Sequence, residues 1–369
     1  MKKIMILVND DIWLYKLRKE VIRGLLDEGF EVYLSSPKGE YIERLVGWGC
    51  NFVETKVDRR GKNPLNDIKL FLNYVKILKK YKPDAVLAYN IKPNIYGGLA
   101  SRLLNVHYIN NITGLGSGFL RDSLMKKYLS FMYKISLKKS DCVFFQNQSD
   151  MKSFLDLNVV KDNYKLIPGS GVNLNDYQYK EIPNKNSVTF NFIGRIMKDK
   201  GIDEYLEAAK VISGKYPNTE FNLIGFVEET QSYYRDKINS FQNKGYVNYL
   251  GFQSNVIPLI EKADCLIQPS HGGEGISNVL LETAATGRAL IASDIPGCRE
   301  TIDEGKNGYI FEAKNSMRLV EKIEKFINLP YDAKVKMGKR SRIKVEKEFD
   351  RNIVVNAYIS KINQMLNEK

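Results

Sequence analysis

The chain has 369 residues, of which 43% are hydrophobic and 27% are charged. This balance excludes a wholly disordered protein and is ordinary for a globular one. Lys and Arg number 56 against 43 Asp and Glu, so the formal net charge is +13. Such an excess favours an anionic partner, although a proteome rich in lysine and asparagine would produce it equally well. The length predicts two domains, because one hydrophobic core rarely organises more than about 300 residues.

Cysteine and histidine usage argues against a metal or disulfide framework. No Cys-x-x-Cys pair and no Cys/His cluster occurs in the sequence. The four cysteines and two histidines are Cys50, Cys142, Cys265, Cys298, His107 and His271. Isolated cysteines of this kind are typical of a reducing compartment.

The N-terminus reads as a buried strand. Its apolar run is too short for a signal peptide and continues directly into Asn9, Asp10 and Asp11. No stretch approaches the roughly 20 apolar residues of a membrane span. We therefore expect a cytoplasmic protein.

Short β-rich runs alternate with amphipathic helical stretches through the first half of the chain. Apolar residues recur at three- and four-residue spacing in each helical stretch. The predicted strands are 4–8, 30–34, 52–57, 85–88, 108–112, 142–145 and 164–168, and the predicted helices include 15–26, 65–80 and 95–104. The polar, Asn-rich stretch 173–187 then contains Pro183 and is typical of a linker between domains.

A second alternation follows the linker. Its predicted strands are 188–193, 220–224, 246–250, 265–268, 289–293 and 308–311, and its predicted helices are 202–215, 232–244, 278–286 and 317–327, before a charged helical stretch over 333–367. Alternation of this kind predicts parallel sheets covered by helices. We predict an α/β protein with two Rossmann-like domains, 1–172 and 188–345, facing a cleft. Residues 346–369 form a C-terminal helix that packs back on the first domain.

The strongest chemical signal is a glycine-rich loop between a predicted strand and a helix, within residues 269–302. Glycines allow the backbone to approach a ligand closely, and Ser and Asn are favoured where helices begin. The free amides and positive dipole end of a helix start form a natural cradle for a pyrophosphate. The candidate donor-binding residues here are Gly273, Gly275, Ile276, Ser277 and Asn278.

Two glutamates flank this turn. Glu282 lies four residues after Asn278 and therefore shares its helix face, while Glu274 stands in the loop ahead of the helix. A carboxylate one turn into a helix can accept hydrogen bonds from a ribose diol, and one in the loop can accept them from sugar hydroxyls. The alternative is that Glu282 is only a solvated helix charge.

Two cations follow the first strand of the second half. That strand ends at Gly194, and Arg195 and Lys200 come just before the next predicted helix. Cations at a strand-to-helix junction suit a diphosphate whose charge grows as a sugar–phosphate bond breaks. Lone basic residues in a loop are usually only solvated, so the pair gains weight from its place beside the glutamate motif.

These motifs together resemble the retaining glycosyltransferases of family 4, which have the two-domain GT-B fold. The resemblance implies that Glu274 contacts the donor sugar, Glu282 contacts the ribose, and Arg195 and Lys200 stabilise the leaving diphosphate. It also implies that the nucleotide base lies against the backbone near Gly225, in the segment 223–226. No Asp-x-Asp triplet occurs, so we expect no metal and no further cofactor besides the co-substrate.

The first half resembles the family more loosely. Its loop 113–119 is glycine-rich but lacks the third glycine of a dinucleotide fingerprint. In the family this loop shapes the acceptor site and often carries a donor-binding histidine, whereas His107 stands too early here. Asn111 or Thr113 are candidates for the missing role. The acceptor-side candidates are Asn111, Thr113, Gly114 and Gly116.

The run Ile-Lys-Pro-Asn at 91–94 and the Thr-Gly-Leu-Gly at 113–116 are similar to the bacterial polysaccharide subgroup of the family. The implied reaction transfers a hexose or N-acetylhexosamine, with UDP as the expected nucleotide. Its acceptor is a hydroxyl of a growing capsule or O-antigen type glycan, carried on polyprenyl diphosphate, and the anomeric configuration is retained. The alternatives are a UDP-sugar 2-epimerase of the same fold, a dehydrogenase and a basic nucleic-acid-binding protein. We expect a glycosyltransferase with no nucleic-acid partner.

Residues 121–140 predict a basic amphipathic helix. Leu124, Tyr128, Phe131 and Ile135 recur at helical spacing among six cations and one acid. Such a helix can lie in the interface of an anionic membrane. The alternative is that its apolar face packs on the N-terminal sheet, as in any surface helix. We expect peripheral contact with the inner face of the cell membrane.

Overall fold

A computed structural model describes residues 1–58, 61, 63–115 and 124–367 of the chain. The chain divides into two compact units, Met1–Ser170 with Arg351–Lys369 and Gly171–Asp350. Each unit is built on one parallel β-sheet, so the predicted α/β class with two Rossmann-like domains is confirmed. The stretch 173–187, expected to be a linker, lies within the second unit.

The first unit contains a seven-stranded sheet in the order β3-β2-β1-β4-β5-β6-β7. Its strands are β1 (Lys3–Leu7), β2 (Glu31–Ser36), β3 (Asn51–Glu54), β4 (Ala85–Tyr89), β5 (His107–Ile112), β6 (Cys142–Phe145) and β7 (Tyr164–Leu166). Alternate residues of β1 enter two separate cores, with Ile4 and Ile6 on one face and Met5 and Leu7 on the other. A parallel sheet buried on both faces requires this apolar continuity.

The helices of the first unit cover both faces of the sheet. They are α1 (Asp11–Asp27), α2 (Ile42–Val46), α3 (Pro64–Tyr81), α4 (Gly98–Leu104, after a π-helical turn at Pro93–Gly97), α5 (Leu124–Leu137), α6 (Gln148–Asp156) and the C-terminal α13 (Arg351–Asn367). Side chains of α1, α2 and α13 enter the core that holds Ile4, whereas α3, α4 and α5 cover the opposite face. The side chain of Asn63 accepts a hydrogen bond from the Leu65 amide and starts α3 ahead of Pro64.

The second unit contains a six-stranded sheet in the order β10-β9-β8-β11-β12-β13. Its strands are β8 (Val188–Ile193), β9 (Thr219–Ile224), β10 (Asn248–Gly251), β11 (Cys265–Gln268), β12 (Ala289–Ser293) and β13 (Gly308–Phe311). Its helices are α7 (Ile202–Lys215), α8 (Tyr234–Asn243), α9 (Ile257–Lys262), α10 (Asn278–Ala285), α11 (Ser316–Ile327) and α12 (Tyr331–Glu348). The central strands β8 and β11 are neighbours, which brings the loops after them together.

The C-terminal helical stretch, predicted as one run over 333–367, is two helices. The Phe349 carbonyl accepts a hydrogen bond from the Val172 amide, and Asp350 pairs with Val172 in an isolated parallel bridge. Backbone groups used in this way cannot continue a helix, so α12 ends and α13 begins on either side of the bridge. The break also marks the passage of the chain from the second unit back to the first.

Three short helices were not predicted from the sequence. They are α2, α6 and α9, with 5, 9 and 6 residues. Segments of one or two turns contain too few apolar repeats to reveal a period of 3.6 residues. Within the described ranges, no helix is long and apolar enough to cross a membrane.

Helix α13 is anchored to the first sheet through Tyr358. Its ring meets Phe144 edge-on at 4.8 Å and approaches Tyr89 at 6.1 Å. Its hydroxyl donates to the Oδ1 of Asn111, and both side chains are fully buried. This contact joins the C-terminal helix to the central strands of the first sheet.

We predict that Tyr358→Phe destabilises the first unit by about 1–3 kcal/mol, because the buried Asn111 oxygen loses its donor. Hydrogen exchange should show lower protection in the first unit, with the amides of the second unit as an internal control. Unchanged protection in both units would show that the hydroxyl contributes nothing.

Candidate active site

The cations predicted to hold a diphosphate, and the glutamate predicted to contact the donor sugar, lie at the carboxyl ends of β8 and β11. Arg195 follows β8 directly, and Lys200 ends a short 3-10 turn, Lys198–Lys200, ahead of α7. Glu274 stands in the loop between β11 and α10. Open α/β sheets bind ligands at this edge, where loops lead into helix starts.

Lys200 and Glu274 form an ion pair, although 74 positions separate them in sequence. Ser270 donates a second hydrogen bond to the same carboxylate oxygen, at 3.0 Å. Burial raises the pKa of Glu274, but Lys200, Ser270 and Arg195 outweigh burial and hold the pKa below its ordinary value. The carboxylate is therefore charged and fixed in orientation, as a group that accepts sugar hydroxyls must be.

Gly201 sets the position of Lys200. Its φ of +74° is left-handed, and a Cβ there would lie 1.9 Å from the carbonyl oxygen of Pro269. The turn therefore packs directly on the start of the Glu274 loop, and the His271 amide also donates to the Asp199 carbonyl at 3.0 Å. The two loops are thereby held together.

Arg195 is oriented by a carboxylate that follows β9. Its Nη1 lies 3.1 Å from an Oε2 of Glu228, whose side chain is largely buried. The ends of β8 and β9 are also in close contact, since a Cβ at Gly225 would lie 1.8 Å from the Gly194 carbonyl oxygen. Gly225 is itself buried and has a φ of +146°, so only glycine allows this close approach of the two backbones.

The start of α10 is held from the neighbouring loop. Ile276 and Ser277 are buried, and the Ser277 amide donates to the Gly297 carbonyl at 2.8 Å. Asn278 begins the helix, and its buried Oδ1 has no hydrogen-bond partner among the described residues. Glu282 lies one turn into the helix and is half-buried. The predicted order of loop, helix start and second glutamate is present.

The candidates in the first unit have different environments. Asn111 is buried at the end of β5; its side-chain amide donates to the Ala88 carbonyl at 2.9 Å, and its oxygen accepts from Tyr358. The nitrogen and the oxygen of the Asn111 side-chain amide are therefore both engaged in hydrogen bonds within the first unit. Thr113 and Gly114 follow the strand and are half-buried, whereas Gly116 lies outside the described residues. Of the acceptor-side candidates that the structure describes, Thr113 is therefore the one with a side chain beyond the end of the strand.

The two histidines lie in separate places. His107 begins β5, at the opposite edge of the first sheet, and its Nδ1 lies 2.9 Å from Asp141. His271 lies in the Glu274 loop, and its Nε2 is 3.1 Å from an Oε2 of Glu204 on α7. No group of three or more potential metal ligands occurs among the residues that the structure describes.

Sequence reasoning did not assign roles to Ser270, Gly201 or Glu228. Gly201 directly follows Lys200, so a glycine at a helix start was an available signal for a left-handed turn. Ser270 ends the strand run that leads into the glutamate loop. Glu228 offered no signal, because only the pairing of β8 with β9 brings it to Arg195.

We predict that Gly201→Ala destabilises the second unit by more than about 1 kcal/mol, since its Cβ has no room and its φ is unfavourable. Gly214→Ala is the matched control, because Gly214 lies in α7 with nothing within 4 Å of its Cβ position. That control should stabilise the unit by about 0.5–1 kcal/mol. Thermal unfolding measures both, and equal effects would contradict the close contact with Pro269.

We predict that Lys200→Ala raises the pKa of Glu274, because burial then acts without its main opposing cation. In the wild type the depressed pKa contributes stability above the unfolded value of about 4.3, which is lost as pH falls through the folded pKa. The variant should therefore be most destabilised near neutral pH, and the difference from wild type should shrink in acid.

Carbon NMR of labelled glutamate side chains, with Glu274→Gln for assignment, measures this pKa. Lys198→Ala is the control, since Lys198 is exposed on the same turn. A Glu274 pKa unchanged by Lys200→Ala would mean that the ion pair does not control the carboxylate.

Two family models match most of the chain. The model described as "Glycosyl transferase 4-like" matches residues 3–147, and "Glycosyl transferases group 1" matches residues 175–344. The second match contains every candidate residue of the donor-side cluster, from Gly194 to Glu282. The prediction that the chain is a glycosyltransferase is confirmed.

Three relatives that match nearly the whole chain are bacterial glycosyltransferases. The chain is 27% identical to the N,N'-diacetylbacillosaminyl-diphospho-undecaprenol alpha-1,3-N-acetylgalactosaminyltransferase of Campylobacter jejuni, covering 96% of each chain. It is 26% identical to the capsular polysaccharide biosynthesis glycosyltransferase CapM of Staphylococcus aureus, covering 95% of this chain and 94% of CapM. It is 25% identical to the UDP-Gal:alpha-D-GlcNAc-diphosphoundecaprenol alpha-1,3-galactosyltransferase of Escherichia coli, covering 90% and 87%.

Solved structures agree on the fold. A glycosyltransferase from Rickettsia africae matches with a TM-score of 0.82 at 20% identity, covering 100% of this chain and 99% of the other. The Anabaena protein HepE, solved in complex with UDP, matches with a TM-score of 0.81 at 15% identity, covering 99% and 100%. With glycosyltransferase models matching both units and bacterial relatives spanning nearly its whole length, the chain belongs to the family 4 glycosyltransferases of the GT-B fold.

Proposed function

We propose that this glycosyltransferase moves a hexose or N-acetylhexosamine from a UDP-sugar to a hydroxyl of a glycan carried on polyprenyl diphosphate, with retention of anomeric configuration. The observation that carries the proposal is the convergence of Lys200 and Arg195 with Glu274 at one edge of the second sheet. This cluster supplies cations for a diphosphate and a carboxylate for the hydroxyls of a sugar.

In the proposed reaction the bond between the sugar C1 and the β-phosphate oxygen breaks, and its electron pair stays on the phosphate. Arg195 and Lys200 stabilise the charge that develops there. The acceptor hydroxyl forms the new bond to C1 on the same face and gives its proton to the leaving diphosphate. No protein nucleophile is needed, and Glu274 serves to hold the sugar.

The carboxylate partners of the two cations have a part in this scheme. Glu228 holds Arg195 by one side, and Glu274 holds Lys200, so neither long side chain has to be ordered when the donor arrives. Groups fixed before the reaction lose less conformational entropy on binding. Ser270 and Gly201 contribute by fixing Glu274 and the Lys200 turn.

The choice of donor and acceptor rests on the relatives. The Escherichia coli relative is named for a UDP-galactose donor and a diphosphoundecaprenol-linked acceptor, and the Campylobacter relative for an acceptor of the same lipid class. HepE was solved with UDP. We extend the shared features, UDP and a polyprenyl-diphosphate acceptor, to this chain.

We propose that catalysis needs no metal. The chain has no Asp-x-Asp triplet, and two cations with a helix start can neutralise a diphosphate. Transfer from a UDP-sugar to a polyprenyl-diphosphate glycan, assayed in EDTA, tests donor class, acceptor class and metal use together. Turnover that stops in EDTA and returns with Mn²⁺ would contradict the metal-free scheme.

We predict that Lys200→Ala and Arg195→Ala each lower kcat by about a hundredfold or more, because each removes a donor aimed at the developing charge. Lys198→Ala is the matched control and should retain wild-type turnover. Steady-state kinetics with a saturating UDP-sugar measures the effect. Full turnover in either site variant would remove that residue from the mechanism.

We predict that Glu282→Ala weakens binding of UDP, whereas Glu274→Ala spares UDP binding and impairs sugar transfer. Glu282 lies on the helix, where a ribose diol would meet it, and Glu274 lies in the loop beside the cations. Calorimetry with UDP separates the roles, each variant serving as control for the other. Equal UDP affinity in the two variants would mean that the roles are assigned wrongly.

A further inference from the structure

Helix α5 presents an apolar stripe to solvent. Leu124, Tyr128 and Phe131 are 85%, 47% and 60% exposed, while Tyr133 and Leu137 on the other side of the helix are buried. The residues at i, i+4 and i+7 share one face. The sequence left open whether the stripe of Leu124, Tyr128, Phe131 and Ile135 packs on the sheet. In the structure the first three face outward, whereas Ile135 is half-buried.

Lysines border the stripe on α5. Lys127 and Lys134 on α5, and Lys138 directly after it, are exposed and recur at helical spacing beside Phe131. No Asp or Glu occurs between residues 124 and 140. The outward face of α5 therefore combines apolar side chains with lysines, and the helix itself carries no acid.

Helix α3 has a similar outward stripe, although this helix also carries Asp67. Leu65, Ile68 and Leu72 are 66%, 55% and 58% exposed at i, i+3 and i+7, and its buried face carries other residues, among them Leu70 and Tyr74. Exposed lysines border this stripe too. They are Lys69, Lys76 and Lys79. The pattern thus occurs on two helices that cover the same face of the first sheet.

The two stripes lie on neighbouring parts of the unit. Tyr96, in the turn before α4, donates a hydrogen bond to Asp67 of α3 at 3.0 Å. Tyr96 is also hydrogen-bonded with Tyr128 of α5. Lys92 completes the junction through an ion pair with Asp67 at 2.8 Å. One tyrosine therefore connects the first turns of both helices.

We propose that these outward stripes of α3 and α5, here called the docking surface, bind the interface of an anionic lipid bilayer. Its large apolar side chains are Leu65, Ile68, Leu72, Leu124, Met125, Tyr128 and Phe131, which are 37–85% exposed. An apolar patch of this kind on a water-facing unit marks an interaction site. The lysines that border it, without neighbouring acids on α5, complement anionic headgroups rather than a protein surface of mixed charge.

The position of the docking surface fits an acceptor that resides in a membrane, and in this respect the inference rests on the proposed function. Both helices run back from the carboxyl edge of the parallel sheet, and the exposed apolar residues lie in their first halves. Thr113, the acceptor-side candidate, follows β5 at the same edge. A bilayer held there would present a lipid-linked glycan at the edge where acceptor residues are expected.

Sedimentation with vesicles tests the inference on the full chain. The vesicles contain equal parts of phosphatidylcholine and phosphatidylglycerol, with pure phosphatidylcholine for comparison. An apolar variant carries Ile68→Gln, Leu72→Gln, Leu124→Gln and Phe131→Gln, and a charge variant carries Lys127→Gln, Lys134→Gln and Lys138→Gln. All these side chains are exposed, so circular dichroism should show an unchanged fold.

Matched controls come from the second unit. Met317→Gln with Ile343→Gln removes apolar side chains of similar exposure, 64% and 60%, and Lys210→Gln with Lys339→Gln removes exposed charges. We expect the wild type and the control variants to pellet with anionic vesicles at low salt. Each docking-surface variant should bind roughly tenfold more weakly or worse, given the contribution of each lysine near anionic lipid.

The Phe131→Trp variant reports how deeply the docking surface enters the bilayer. In anionic vesicles, lipids brominated on the acyl chain should quench the fluorescence of this added tryptophan. The same tryptophan buried in a contact between two proteins would not be quenched. Wild type that stays in the supernatant with anionic vesicles would overturn the inference. Docking-surface variants that pellet like the wild type would also overturn it. A third contradicting result is a wild-type dimer that binds no vesicles and that the apolar substitutions convert to a monomer.

Failure of the docking surface can be distinguished from failure of the proposed acceptor. Transfer to a polyprenyl-diphosphate glycan in detergent does not need a bilayer, so the docking-surface variants should retain it. Vesicle binding without any transfer in detergent would refute the acceptor class and leave the docking surface standing. Transfer in detergent without vesicle binding would refute the docking surface and leave the acceptor class standing.

Discussion

The ion pair between Lys200 and Glu274 is the contact on which the candidate site depends. It joins the loops that follow β8 and β11, the two central strands of the second sheet. Lys200 keeps Glu274 charged, because the cation overcomes the burial that would otherwise raise the pKa of this carboxylate. Gly201 and Ser270 fix the two loops around this pair, and Arg195 adds a second cation beside it. The proposed reaction, which has no covalent intermediate, depends on such fixed charges for its rate.

Positive charge serves different purposes in the two units. In the second unit it is held in place, since Glu228 and Glu274 orient Arg195 and Lys200. In the first unit the lysines of α3 and α5 stand in solvent around apolar side chains. Oriented cations suit a single diphosphate, whereas exposed lysines suit a surface with many anionic headgroups. A net charge of +13 is therefore consistent with the proposed lipid-linked acceptor.

The sequence predicted the parts of the fold and site that depend on local pattern. Strand periodicity, the glycine loop before Asn278 and the cations after β8 can all be read within one short segment. Contacts between distant segments could not be read. The pairing of Val172 with Asp350 divides the C-terminal helix, and Tyr358 engages Asn111, which the sequence had offered as an acceptor-side residue. The direction of the α5 stripe was also undetermined, because an apolar face at helical spacing has the same pattern whether it meets a core or a membrane.

Hydrogen exchange with and without UDP tests the central claim, that the second unit binds the nucleotide-sugar through the loops after β8 and β11. The account predicts that UDP protects amides in residues 194–201 and 272–282, and that Lys200→Ala weakens this protection while Lys198→Ala does not. Protection confined to the first unit, or none in these two loops at saturating UDP, would contradict it.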